Sequence, residues 1–126
     1  MITNKKILII DDQQDFLDTI RDLVEMHFSD IETATTVAKA TDLASQIKYD
    51  CIIVDLNIKG INGANAIHKL QAQADNINKD TPVVVVSGNL DDRETAEHYS
   101  SLFSAVLKKP FDPDDLISVL KSIMNV

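Results

Sequence analysis

Asp11, Asp12, Asp55, Ser87 and Lys109 are the residues of this 126-residue chain whose types and settings could do chemistry together. Each follows a short apolar run. Ile7–Ile10 runs into Asp11-Asp12, Cys51–Val54 into Asp55, Val83–Val86 into Ser87, and Ala105–Leu107 into Lys108-Lys109. Three carboxylates brought to one place repel one another unless a cation neutralises them. Hard oxygen donors with room for water suit Mg2+, which is usually held by one or two carboxylates together with a phosphate. A lysine and a hydroxyl add positive charge and a donor for phosphoryl oxygens. An aspartate can itself be the nucleophile that accepts a phosphoryl group. These types therefore point to a carboxylate that becomes phosphorylated, with metal and lysine balancing its charge. A single strand-end aspartate would carry little; four such strand ends carry the reading.

The chemistry needs elements that bring those ends to one edge. Each run is too short for a helix and unbroken in its hydrophobicity, the pattern of a parallel strand buried on both faces. Helical spacing fills the gaps between them. Phe16, Leu17, Ile20, Leu23, Val24 and Phe28 form the first stripe, followed by a weak strand from Ile31 to Ala34. Thr35 or Thr36 can cap a second helix carrying Val37, Ala40, Leu43, Ala44 and Ile47. Gly60 and Gly63 let the chain turn after Asp55, before a third stripe of Ala66, Ile67, Leu70 and Ala74. A polar fourth helix is predicted from about Asp91 to Leu102. Asp112 caps the last, with Pro113 at its first position, Asp114 and Asp115 in its first turn, and Leu116, Ile117, Leu120, Ile123 and Met124 on its buried stripe. Strand then helix, five times over, predicts an α/β fold with a doubly wound, five-stranded parallel sheet in the order 2-1-3-4-5. The two strands that carry the acids are then neighbours, flanking the point where the winding reverses.

Composition narrows the function classes. With 44% hydrophobic and 25% charged residues the chain reads as an ordinary globular protein. One domain over residues 1–126 is expected, with no linker or internal repeat and no output domain encoded here. The net charge of −8 argues against direct contact with nucleic acid or an anionic membrane, both of which need a basic face. Cys51 is the one cysteine and begins an apolar run, so it reads as a small buried hydrophobe in a reducing compartment. No apolar run spans a bilayer and no signal-peptide pattern opens the chain, so the cytoplasm is the expected location. His27, His68 and His98 lack metal-ligand spacing and are expected to be surface or partly packed residues. Phe16 and Phe111 are expected to be core or rim aromatics. A flavin- or nucleotide-binding module would want a Gly-rich loop after the first strand, and none is present. The alternative of a Mg2+-dependent phosphohydrolase with an aspartate nucleophile lacks an insertion to enclose a small substrate.

Taken together, Ile7-Leu8-Ile9-Ile10-Asp11-Asp12, Asp55 with Gly63 eight positions later, Ser87-Gly88 and Lys109-Pro110-Phe111 resemble the receiver domains of bacterial two-component response regulators. The resemblance covers essentially the whole chain and implies a flavodoxin-like fold. By that resemblance Asp55 is the phosphoacceptor, Asp12 a direct Mg2+ ligand, Asp11 a ligand partly through water, and Asn57 a ligand through its backbone carbonyl. Ser87 then supplies the hydroxyl that turns toward the phosphoryl group, Lys109 its ion-pair partner, and the Lys109–Pro110 bond is cis. The implied function is a signalling module rather than an enzyme with a separate substrate. It takes its phosphoryl group from a histidine kinase or histidine phosphotransfer protein, loses it by hydrolysis, and so switches recognition of a downstream partner protein. Three positions depart from the family pattern. Val106 stands where an aromatic is usual, Ser104 where a Gly commonly ends the fourth helix, and Lys59 where a Pro often follows the acceptor strand. Short, β-branched Val106 has little rotamer freedom to couple anything. Output is therefore expected through the loop after Ser87 and the fourth helix, from a monomer or weak dimer.

Overall fold

Two apolar clusters, one on each face of a single parallel sheet, organise the molecule. The structure, a computed structural model, describes residues 2–55, 77–87, 104–108 and 110–126. Along these run β1 (Ile2–Ile10), α1 (Gln14–Glu25), β2 (Phe28–Ala34), α2 (Val37–Gln46), β3 (Cys51–Asp55), β4 (Val83–Ser87), β5 (Ala105–Lys108) and a last helix, α3 (Pro113–Met124). The sheet order is β2-β1-β3-β4-β5, and every pairing is parallel. The 2-1-3-4-5 expectation is met. The third and fourth helical patterns, at residues 64–74 and 91–102, lie outside the described residues. Among the described residues, no helix is long and apolar enough to cross a membrane.

Alternation along each strand divides the core. Leu8, Ile10, Ile52, Val54, Val83 and Val85 face one cluster with Ala40 and Ala44 of α2. Ile7, Ile9, Ile53, Val84 and Val86 face the other, with Leu17, Ile20 and Val24 of α1 and Leu116 and Leu120 of α3. Both faces of β3 and β4 are therefore covered, which explains why those runs carry no polar residue in their bodies. Each fully buried Leu, Ile or Val contributes about 1.5–3 kcal/mol relative to exposure.

The helix ends follow their sequences. Thr36 Oγ1 accepts the Lys39 N–H at 3.1 Å to start α2. Asp112 Oδ1 accepts the Asp114 N–H at 3.0 Å, ahead of Pro113 at the first position of α3. Asn125 closes α3 at φ 58°, letting the Val126 N–H reach the Lys121 carbonyl at 3.0 Å. That is a Schellman-type end, with asparagine filling the left-handed position glycine usually takes.

Two boundaries differ from the periodicity. Phe28 does not belong to the first helix: α1 stops at Glu25, and Phe28, fully buried, opens β2 three residues before Ile31. β1 likewise begins at Ile2 instead of Ile7. Ile2 pairs with Phe28, and its N–H donates to the His27 carbonyl at 2.8 Å. Between Ile2 and Lys6 the register shifts, four steps on β1 facing two on β2. This polar half-strand is held by backbone pairing, which leaves no side-chain pattern to read.

Tyr49 occupies the space that Ala34, Ala40 and Ala44 leave beside β1 and β3, and is 1% exposed. Its buried hydroxyl has no hydrogen-bond partner among the described residues. Burial first, then Glu32 and Asp30, push the phenol up to about 12; burial and Asp50 push the Cys51 thiol, ordinarily near 9, up to about 12 as well. An unpaired buried hydroxyl costs about 1–3 kcal/mol. Tyr49→Phe is thus expected to leave urea stability unchanged or raise it by about 1 kcal/mol. The phenol also imposes a pH dependence. Protein stability is unaffected by this proton below pH 10 and falls as pH rises toward 12, because the unfolded chain releases that proton first. Tyr49→Phe should therefore flatten the alkaline decline in urea midpoint over that window, leaving the part that belongs to Cys51. An equally steep decline in the variant would show that Tyr49 does not carry it.

Candidate functional site

The carboxyl ends of β1 and β3 meet because Ile10 and Val54 are register partners. Asp11 and Asp55 are the next residue on each strand, so two carboxylates leave the sheet at one level. Backbone bonds fix where the first of them points. The Asp11 N–H donates to the Ala34 carbonyl at 3.1 Å, extending the β1–β2 ladder by one residue. Its Oδ1 accepts the Gln13 N–H at 3.0 Å, an Asx-type turn that carries the chain into α1. Asp12, half-buried, lies within that turn.

One carboxylate oxygen from each of Asp11, Asp12 and Asp55 lies within 4.8 Å of the other two. Asp11 and Asp55 are 2% and 3% exposed. At an effective dielectric constant of about 20, two full charges at such a distance repel by roughly 3 kcal/mol. Among the described residues this is the one grouping of acids, cysteines or histidines able to hold a metal ion. Its donors are all hard oxygens, two on buried residues and one on half-buried Asp12, and the set fits a small divalent cation of the Mg2+ kind.

The other sequence-predicted residues fall around it. Asp55 pairs with Val86, so Ser87 stands one residue further along the neighbouring strand, at the same edge. Ser87 in turn pairs with Lys108, the residue before Lys109. Lys109 and Asn57 lie outside the described residues, as do His68 and His98. Phe16 and Phe111 are partly buried against the α1–α3 cluster, as expected of rim aromatics. His27 is partly buried beyond α1, remote from the acids in the chain. Val106 is 50% exposed, whereas its neighbours Ala105 and Leu107 pack inward.

The sequence pattern of the response regulator receiver domain matches residues 7–121. The chain belongs to that family. This receiver domain is 26% identical over 126 residues to the transcriptional regulatory protein SrrA of Staphylococcus aureus, covering 97% of this chain and 48% of that protein. It is 23% identical over 114 residues to the transcription factor SKN7 of Candida albicans, covering 90% of this chain and 20% of the other. The chain therefore spans half or less of these relatives' length. Among solved structures, a response regulator receiver domain from Methylobacillus flagellatus superposes with a TM-score of 0.82 at 28% identity, over 94% of this chain and 98% of that one. The receiver domain of a sensor histidine kinase from Pseudomonas aeruginosa, which holds a magnesium ion in its active-site cleft, gives 0.84 at 20% identity over 97% and 98%. At that identity the likeness is one of fold.

Residues that periodicity missed stand at the opposite edge of the receiver domain. Asn78 is fully buried. Its Nδ2 donates to the Ala44 and Ile47 carbonyls at 2.6 and 2.8 Å, and its Oδ1 accepts the Tyr49 N–H at 2.8 Å. Thr81 Oγ1 lies 3.1 Å from the Tyr49 carbonyl and 2.9 Å from Asn78 Oδ1, and accepts from Lys48 Nζ at 3.0 Å. Asp50 makes a reciprocal pair with Lys6: Oδ2 accepts the Lys6 N–H, and the Asp50 N–H donates to the Lys6 carbonyl, both at 2.8 Å. In sequence these residues sit in polar, aperiodic stretches and look like loop.

Proposed function

We propose that this receiver domain accepts a phosphoryl group on Asp55 from a phosphohistidine and later loses it to water. The convergence of Asp11, Asp12 and Asp55 at the carboxyl edge of β1 and β3 is the observation that carries this. An Asp55 carboxylate oxygen attacks phosphorus; the P–N bond to the imidazole breaks, a P–O bond forms, and the departing imidazole takes a proton from solvent. In the second half, a water oxygen attacks phosphorus, the acyl phosphate bond breaks, and the Asp55 carboxylate and inorganic phosphate are released, the proton of the water going to phosphate or solvent. Asp11, Asp12, Asp55 and the Asn57 backbone carbonyl would hold Mg2+, which supplies the positive charge that lets acids and phosphoryl oxygens share one site. The Gln13 N–H keeps Asp11 aimed while that charge changes. The Ser87 hydroxyl donates to a phosphoryl oxygen and Lys109 pairs with another. No substrate is turned over apart from the phosphoryl group itself.

The phosphodonor is a histidine kinase or histidine phosphotransfer protein, and the receptor of the signal is a separate protein. Residues 1–126 act as one phosphoacceptor unit in the cytoplasm, as a monomer or weak dimer, without touching nucleic acid themselves. Half-exposed Val106 supports a switch that works through Ser87 and the loop after it, since valine cannot trade a large ring between buried and exposed positions. The test is direct. Incubated with Mg2+ and acetyl phosphate, the protein should gain one phosphoryl group, mapped to Asp55 by mass spectrometry after borohydride reduction. Labelling at another residue, or none, would refute the proposal.

The acid cluster gives a second, independent check on Mg2+. With no metal present, removing one of three crowded charges relieves repulsion, so Asp12→Asn should be more stable in urea than the wild type by about 1 kcal/mol. Added Mg2+ should stabilise the wild type more than the variant, because at a given concentration the tighter-bound ligand raises native stability more. Equal shifts in both midpoints would mean that Asp12 is not a ligand.

A further inference from the structure

The bodies of β3 and β4 are nearly degenerate in register. Ile52, Ile53 and Val54 pair with Val83, Val84 and Val85, all 1% exposed or less, and Asp55 pairs with Val86. A slip of β4 by one residue would exchange its two faces, yet at three of the four valine positions it puts valine where valine was. Where one face of a strand is polar such a slip is forbidden; here the side chains of the strand bodies do not oppose it. Pro82, which has no N–H, resists a slip in one direction only. The functional ends do not share this tolerance, since one step is about 3.3 Å and moves Ser87 by that distance relative to Asp55.

Two separate sets of polar contacts tie the strands together at the amino edge of the sheet. Asn78 and Thr81 grip Tyr49 through its N–H and carbonyl and so pin the start of β3 to the segment entering β4. The reciprocal Asp50–Lys6 pair pins the start of β3 to β1. We propose that these clamps are positioning devices for the phosphoacceptor site at the far edge. Asn78 and Thr81 set where Ser87 stands relative to Asp55, and Asp50 sets where Asp55 stands relative to Asp11 and Asp12. This rests on the assignment of Asp55 as phosphoacceptor and extends it to residues a whole strand length away. A rigid, doubly covered strand transmits the setting of one end to the other.

Thr81→Val is nearly isosteric and loses the hydroxyl; Thr81→Ser keeps it. Asp50→Ala releases the other clamp. Three readouts separate the roles: Mg2+ affinity by calorimetry, backbone NOEs between Asp55 and Val86, and the rate of labelling from acetyl phosphate at saturating Mg2+. Thr81→Val should keep its Mg2+ affinity within about twofold, weaken the Asp55–Val86 NOEs, and label on the order of tenfold more slowly, the size of loss a small misplacement produces. Thr81→Ser should restore rate and NOEs. Asp50→Ala should weaken Mg2+ binding on the order of tenfold while leaving the Asp55–Val86 NOEs in place. Should Thr81→Val not fold, Asp50→Ala and Thr81→Ser still decide: wild-type Mg2+ affinity in the first, or slow labelling in the second, overturns the proposal. So does a folded, less stable Thr81→Val that keeps wild-type NOEs and rate, since the clamp would then serve stability alone. If the wild type itself takes no label, the phosphoacceptor assignment fails, while the NOEs and the Mg2+ affinities still judge the clamps.

Discussion

Asp55→Asn is expected to fold as the wild type does and to label from acetyl phosphate at least about 100-fold more slowly. The amide nearly matches the carboxylate in shape, and the 3% exposed position at the end of β3 has no reason to repack around it. What changes is nucleophilicity, because a neutral amide oxygen cannot form the acyl phosphate. The same substitution removes one of three charges held within 4.8 Å, so the variant should also unfold at a higher urea concentration without Mg2+. Loss of label with retained or raised stability is a combination that misfolding does not produce. Labelling of Asp55→Asn at the wild-type rate would mean that another residue is the acceptor.

Asn78→Ala should cost roughly 3–4 kcal/mol, the largest stability loss expected of any polar substitution among the described residues. Alanine would leave the buried Tyr49 N–H and Ala44 carbonyl, and the partly buried Ile47 carbonyl, without this partner. Each such buried group costs about 1–3 kcal/mol, and relaxation recovers part of the sum. Set against a typical total of about 5–15 kcal/mol, that loss is severe. Urea unfolding followed by circular dichroism measures it. A loss below about 1 kcal/mol would show that α2 and β3 hold their places without this hub.

Much of this receiver domain is legible in its sequence because burial leaves a periodic trace. Cys51–Val54 and Val83–Val86 can only be strands covered on both faces, and five alternations of strand and helix leave few sheet orders. The chemistry is legible for the same reason: Asp11, Asp12, Asp55 and Ser87 stand where apolar runs stop, and in a parallel sheet those ends share an edge. Local signals also sufficed for Thr36, Asp112 and Pro113, whose partners are neighbours in the chain. Periodicity misplaced Phe28, since a buried aromatic three positions beyond α1 fits the helical stripe as well as it fits β2.

Only the tertiary structure decided the rest. The first half of β1 is held by backbone pairing with β2, which no side chain announces. Asn78 reaches Tyr49 across 29 residues of sequence, and Lys6 reaches Asp50 across 44. A buried polar hub and a solvated loop residue are written with the same amino acids. What separates them is whether distant backbone groups converge on the side chain, and that is settled by packing. The sheet's apolar bodies thus determine that the strands pair, while polar contacts between distant segments determine at which step β3 and β4 pair, because the four successive valines of β4 do not distinguish one register from the next.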